Sequence, residues 1–158
     1  MTVVLARIDD RLVHGQVVIG WGRPLNADLV VLVDAEVAAN EWEQEIYRMA
    51  VPEGMEILFA DAEQTARRLP AWEASQSRVV VLTGDVATMA ALQAAAPEVI
   101  RRINLGGLHH RPGRTEYLRY VYLDPEEVNA LRALAAAGAS ISAQDLPGTP
   151  AVALERLL

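Results

Sequence analysis

The 158-residue chain contains no cysteine and no lysine. Without thiols there is no disulfide, no thiolate nucleophile and no cysteine-ligated metal. Without lysine there is no Schiff-base chemistry and no P-loop, whose glycine pattern is also missing. All 14 basic residues are arginine, against 21 Asp and Glu, and the formal net charge of −7 argues against nucleic acid as a partner. Hydrophobic residues make up 52% of the chain, yet no apolar run approaches the roughly 18–20 residues of a membrane-spanning helix. No basic segment, apolar stretch and small-residue cleavage site open the sequence as in a secretory signal, so the cytoplasm is the expected compartment. A G-x-G-x-x-G fingerprint and a G-x-S-x-G nucleophile elbow are absent, which ranks nucleotide-binding and serine-hydrolase readings low. The length suits one domain, over 1–158, with a sizeable core.

What is there alternates. Short runs rich in β-branched residues predict strands at Val3–Ile8, Leu29–Val33, Glu56–Phe59, Arg78–Leu82, Ile100–Leu105 and Ser140–Gln144. Longer stretches between them predict helices at Gly15–Trp21, Ala39–Ala50, Ala62–Leu69 and Asp85–Ala95. Asp124-Pro125-Glu126-Glu127 is a helix start with an N-cap, proline at N1 and acids in the first turn, and that helix should run to about Ala137, before Gly138. Tyr117–Leu123 alternates and predicts a strand near the sheet edge, where it could pair across a homodimer axis. Pro147–Pro150 forms a turn before a short closing helix. The alternation predicts an α/β fold: an open, mostly parallel sheet with helices on both faces, with room for an antiparallel strand toward the C-terminal half. In such folds ligands bind at the carboxyl ends of strands. That places the loop after the first strand, and the Gly106-Gly107 loop, where an active site is expected.

The first of these loops carries the chemistry. Arg7-Ile8-Asp9-Asp10-Arg11-Leu12-Val13-His14-Gly15-Gln16-Val17 sets one histidine in a polar turn between a strand and a helix. Imidazole is a nucleophile at neutral pH and can carry a phosphoryl group covalently. Arg11 can clamp phosphate oxygens with its fork of donors, or simply form a salt bridge with Asp9 or Asp10. Of the two acids, one could brace Arg11 or cap the helix and the other orient the imidazole; the spacing does not assign the roles. Gly15 and Gln16 open the expected helix, whose first N–H groups favour an anion. No further carboxylates or histidines stand at ligand spacing, so no metal is expected. His109 and His110 are neighbours, read as loop or interface residues. No cofactor is called for.

This segment closely resembles the R-x-D-D-R-L-x-H-G-Q-V active-site loop of the enzyme IIB subunits of the mannose/fructose/sorbose family of the bacterial sugar phosphotransferase system. Further similarities run nearly end to end. Asn104-Leu105-Gly106-Gly107 resembles the family's N-x-G-G segment. Asp34-Ala35-Glu36-Val37-Ala38 resembles its D/N-D-x-V-A segment, with Ala35 in place of a second acid. Arg111-Pro112-Gly113-Arg114-Thr115 resembles its R-x-G-K-T turn, with arginine for lysine. The resemblance implies that His14 is the phosphoryl-accepting nucleophile, Arg11 the phosphate clamp and Asp10 a brace or helix cap. Asp9, Gly15, Gln16, Asn104, Gly106 and Gly107 would then line the phosphate or hold its loop. It also implies a IIA phosphoryl donor on a separate polypeptide, a IIC/IID membrane pair that binds the sugar, and peripheral association with that complex. The alternative function is a regulatory phosphoprotein that signals through the phosphorylation state of His14.

Overall fold

The computed structural model describes residues 3–158, except the side chains of Gln16 and Val17. In chain order the elements are β1 (Val3–Ile8), a π-helix (Gln16–Gly22), β2 (Leu29–Val33), α1 (Ala35–Ala38), α2 (Glu41–Ala50), β3 (Glu56–Ala60), α3 (Ala62–Ala74), β4 (Val79–Thr83) and α4 (Val86–Ala95). There follow β5 (Arg102–Leu105), β6 (Thr115–Leu118), β7 (Val121–Leu123), α5 (Pro125–Ala136), β8 (Ser140–Ala143), β9 (Val152–Ala153) and α6 (Leu154–Leu157).

The main sheet has seven strands in the order β3-β2-β4-β1-β5-β8-β9. Every pairing is parallel except the antiparallel β8–β9 pair. The fold is therefore the expected open, mostly parallel α/β sheet, with the antiparallel strand at its C-terminal edge. Residues along the central strands alternate between two cores, as the period of a strand requires. Val31, Val33, Val79 and Val81 join Leu69 of α3, Met89 and Leu92 of α4, and Leu131 and Leu134 of α5. Val30, Leu32, Val80 and Leu82 face the other way, onto Val13, Val18 and Val37. Burial on both faces explains why β2 and β4 read as unbroken apolar runs. Among the described residues no helix is long and apolar enough to cross a membrane.

β1 lies at the centre of the sheet, between β4 and β5. Its carboxyl end is tied to both neighbours: the Asp9 N–H donates to the Thr83 carbonyl at 2.8 Å, and the Gly106 N–H to the Ile8 carbonyl at 2.7 Å. The loop that begins at Asp9 thus leaves the sheet from its most constrained position.

Several elements differ from the sequence reading. The helix expected over Ala39–Ala50 is α2, which begins at Glu41 because Asn40 accepts the Glu43 N–H at 3.1 Å, and the short α1 over Ala35–Ala38 precedes it unforeseen. Short amide side chains favour that capping role over a helix interior. α3 continues through Pro70 to Ala74; the lost backbone bond is offset by packing, with Leu69 wholly buried and Trp72 against the same core. The helix after His14 is wound as a π-helix. Tyr117–Leu123 is not one edge strand. It folds back at Arg119-Tyr120 into the β6–β7 hairpin, a separate two-stranded sheet whose Val121 and Leu123 are buried. The main sheet ends in β3 and β9 instead, so the strand-pairing argument for a homodimer falls away.

α5 begins with a complete capping box: Asp124 accepts the Glu127 N–H at 2.7 Å while the Glu127 carboxylate accepts the Asp124 N–H at 3.1 Å. Replacing Asp124 with alanine should destabilise the protein by about 1 kcal/mol. The check is a lower midpoint in urea unfolding with an unchanged slope.

Candidate functional site

The site is built on a buried charge. Arg7 has no exposed surface. It alternates along β1 with Ala6 and Ile8, which point into the larger core, so its side chain leaves the strand on the opposite face. There Nη1 donates to the Asn104 side chain and to the Gln144 carbonyl at 2.9 Å. Nη2 donates to Asp9 at 3.0 Å and to the Asp145 carbonyl at 3.1 Å. The guanidinium also lies 4.9 Å from the centre of the Trp21 ring, whose Nε1–H donates to the same Asp145 carbonyl at 3.0 Å. One side chain thereby joins the ends of β1, β5 and β8 to the π-helix.

Asp9, equally buried, carries the charge balance outward. Its Oδ2 accepts from Arg7 and, at 2.7 Å, from Arg11 Nη2. Its Oδ1 accepts from Arg11 Nε at 2.9 Å and from the Arg11 backbone N–H at 3.1 Å. The Arg11–Asp9 contact is thus a two-pronged fork, the geometry for which arginine differs from lysine. Burial alone would raise the Asp9 carboxyl, but the Arg11 hydrogen bonds and both guanidinium charges outweigh it and hold the group below its ordinary value. Arg11 retains 24% side-chain exposure, and its Nη2 lies 3.4 Å from Asp145 Oδ1. The salt-bridge and clamp readings of Arg11 are therefore compatible: the ion pair fixes a guanidinium that still reaches the surface.

The glycines belong to this packing. A methyl group on Gly106 would overlap the Arg7 guanidinium, and one on Gly107 would sit 3.0 Å from Arg11 Nε. Asn104 and Gly106 therefore hold Arg7, and Gly107 makes room for Arg11. Gly15 is different: open space surrounds the position of its missing side chain, and its φ is −52°, so no packing or backbone constraint demands glycine there. The side chain of Gln16 lies outside the described residues.

Among the described residues the helix start has no side-chain cap, and Asp10 meets the 106–114 loop. It accepts the His109 N–H at 2.8 Å and contacts the His109 ring, with Arg114 Nη1 at 3.9 Å. Arg114 in turn forks onto Glu127 of α5, both bonds at 2.8 Å, and donates to the His109 carbonyl at 2.7 Å. Consecutive residues of an extended chain point apart, so Asp9 goes inward to the arginines and Asp10 outward to the 106–114 loop. His110 packs edge-on against Tyr122.

His14 sits half-buried where the loop enters the π-helix, its carbonyl accepting the Val18 N–H at 3.0 Å. Val13 and Val18 anchor the segment in the second core. Leu12 is held at φ +57°, a left-handed conformation that branched side chains seldom adopt. Burial lowers the His14 pKa below its ordinary 6.5; the Arg11 and Arg7 charges push the same way, against Asp9 and Asp145. The lowered pKa favours the neutral imidazole near pH 7. The sequence assigned no role to Arg7, which it showed only as the first residue of the motif, nor to Trp21 and Asp145. Only the first left a signal, an arginine inside an otherwise apolar strand.

Residues 3–158 match the family described as the PTS system sorbose subfamily IIB component. The chain belongs to that family. It is 30% identical over 156 residues to the N-acetylgalactosamine-specific phosphotransferase enzyme IIB component 2 of Escherichia coli K12, covering 99% of this chain and 98% of that one. Its fold superposes with a TM-score of 0.90 on the crystal structure of the IIBSor domain of the sorbose permease from Klebsiella pneumoniae, at 28% identity and covering 99% and 96% of the two chains. It also aligns at 27% identity, over its whole length, with 49% of the mannose-specific EIIAB component of Escherichia coli K12. IIB components are phosphotransferases, carriers in sugar uptake that work with IIA and the membrane IIC/IID subunits.

Removing the charge of Asp9 would leave two guanidinium groups sharing a poorer acceptor, one of them without water. Asp9→Asn should cost roughly 3–5 kcal/mol at pH 7, read from urea unfolding. Because the folded pKa of Asp9 lies below its ordinary 3.8, its stabilisation is complete above that value and is lost as pH falls through the folded pKa. The wild-type advantage over the variant should therefore shrink only in strong acid.

Proposed function

We propose that His14 is the phosphoryl carrier. A His14 ring nitrogen attacks the phosphorus of a IIA phosphohistidine; the new P–N bond forms as the donor's breaks, and the donor imidazole leaves. A hydroxyl of the sugar held by the IIC/IID pair then attacks the same phosphorus, the P–N bond to His14 breaks, and the hydroxyl proton passes to the departing imidazole or to water. The IIA donor is a chemically matched partner: in the mannose-specific EIIAB relative the A and B components share one chain. The sugar is chosen in the membrane pair.

The observation that carries this reading is the joint placement of a neutral, half-buried imidazole and a forked arginine on one loop at the carboxyl end of the central strand. Phosphoryl transfer asks mainly for positioning and for charge stabilisation on the transferred oxygens. Asp9 and Arg7 supply the first by locking Arg11, and Arg11 supplies the second. Gly106, Gly107 and Asn104 act by shaping this support.

Incubation with a phosphorylated IIA protein should place one phosphoryl group on His14 and none on His109 or His110. The linkage should be labile in acid and stable in alkali, and His14→Gln should abolish it while the thermal melt stays intact. Label that persists in this variant would refute the assignment. Arg11→Lys keeps the charge but not the fork, and should slow single-turnover transfer by roughly 2–4 kcal/mol of transition-state stabilisation, about 30- to 1,000-fold. Because the His14 pKa is lowered, the rate of labelling should hold as pH falls past 6.5 and decline only below the folded value.

A further inference from the structure

Resting on the assignment of His14, we propose that Asp145 is a positioning residue for loading and unloading the phosphoryl group: its carboxylate occupies the outer edge of Arg11 until the phosphoryl group displaces it, and then opposes overly tight retention of that group.

Among the described residues two carboxylates touch Arg11, and they are not equivalent. Asp9 is fully buried, accepts from Arg7 as well, and lies 2.7 Å from Arg11 Nη2. Asp145 is 24% exposed and lies 3.4 Å from the same nitrogen. The first contact is a fixed brace, whereas the second is long and open to solvent. A phosphoryl group on His14 brings close to two negative charges and three strong acceptor oxygens, and charge-assisted bonds to such oxygens are among the strongest an arginine makes. Asp145 is the partner that yields.

Having yielded, it cannot go far. The Asp145 carbonyl is held by Arg7 Nη2 at 3.1 Å and by Trp21 Nε1 at 3.0 Å. The turn beyond it is closed by Gln144 Nε2, which donates to the Pro147 and Thr149 carbonyls at 3.1 and 2.7 Å. A carboxylate on so fixed a backbone stays beside the phosphoryl dianion and repels it. It also favours the protonated ring: of the charges acting on His14, Asp145 and Asp9 raise its proton affinity while Arg11 and Arg7 lower it. Protonation of imidazole is what makes it a good leaving group. The two guanidinium groups of the cluster are matched by two carboxylates, so the phosphoryl group enters a neutral site rather than a cationic trap, as a carrier that must release its cargo requires.

The test needs no protein partner. Potassium phosphoramidate phosphorylates histidine directly: a ring nitrogen attacks phosphorus, the P–N bond to the amino group breaks, and ammonia departs with the proton. Phosphorus NMR follows both the gain of label on His14 and its loss as pH is lowered. Asp145→Asn should gain label roughly three- to tenfold faster than wild type, and loss of label should move to lower pH. Asp145→Glu should stay near wild type in both. Asp145→Ser, which also keeps the backbone bonds, should behave as Asp145→Asn and serves if the latter folds poorly. Unchanged labelling and release in the neutral variants would overturn the proposal. Slower labelling would do the same, since it would mean that Asp145 is needed to hold the clamp. Absence of label on His14 in the wild-type protein would instead overturn the carrier assignment beneath it.

Discussion

A guanidinium cut off from water must be surrounded by acceptors, and in this fold the ends of four elements are arranged around that demand. Four of the five N–H donors of Arg7 meet an oxygen: one carboxylate, one amide side chain and two backbone carbonyls. The Nε–H meets none among the described residues, and the Trp21 ring lies beside the guanidinium. Because breaking such a cluster leaves an uncompensated buried charge, it cannot relax piecemeal. The positions of β5, of the turn after β8 and of the π-helix are therefore coupled to that of β1. The glycine at position 106 follows from the same constraint, since any side chain there would occupy the space of the guanidinium.

The functional loop gains its order from this arrangement. Arg11 is a long side chain with considerable rotamer entropy, and a surface ion pair alone would hold it weakly. Here the partner carboxylate is itself immobilised from below by Arg7, and it receives the side chain at two atoms and the backbone at a third. Rigidity passes from the sheet to Arg7, from Arg7 to Asp9, and from Asp9 to the guanidinium that meets solvent. Asp10 fastens the other side of the loop to His109 and, through Arg114 and Glu127, to the start of α5. The positive φ of Leu12 is sustained between these two anchors.

The sheet and most of its helices were legible in the sequence because local rules and burial agreed there: β2 and β4 are apolar on both faces, and Asp85 and Asp124 cap the helices they precede. The elements that were misread are those where tertiary contacts decide. Nothing local distinguishes a seven-residue strand at 117–123 from a hairpin that buries Val121 against Leu108. In the loop, the run of charged residues around His14 was legible, but the division of labour between Asp9 and Asp10 was not. It depends on which face of β1 the chain leaves and on Gly107, almost 100 residues away, whose carbonyl accepts the Asp10 N–H. Asp145 was invisible for the same reason: it reaches Arg11 through sheet topology.

Relatives named for N-acetylgalactosamine, sorbose and mannose align over 96–100% of this chain at only 27–30% identity, and the sorbose domain superposes at a TM-score of 0.90. A sheet whose central strand must present one loop in one geometry tolerates wide substitution around it, since volume and pattern suffice for most of the core. The loop has less freedom, because each of its charges is the counterion of another. A change at Arg7, Asp9 or Arg11 alters the other two, whereas a change on the outer helices leaves all three in place.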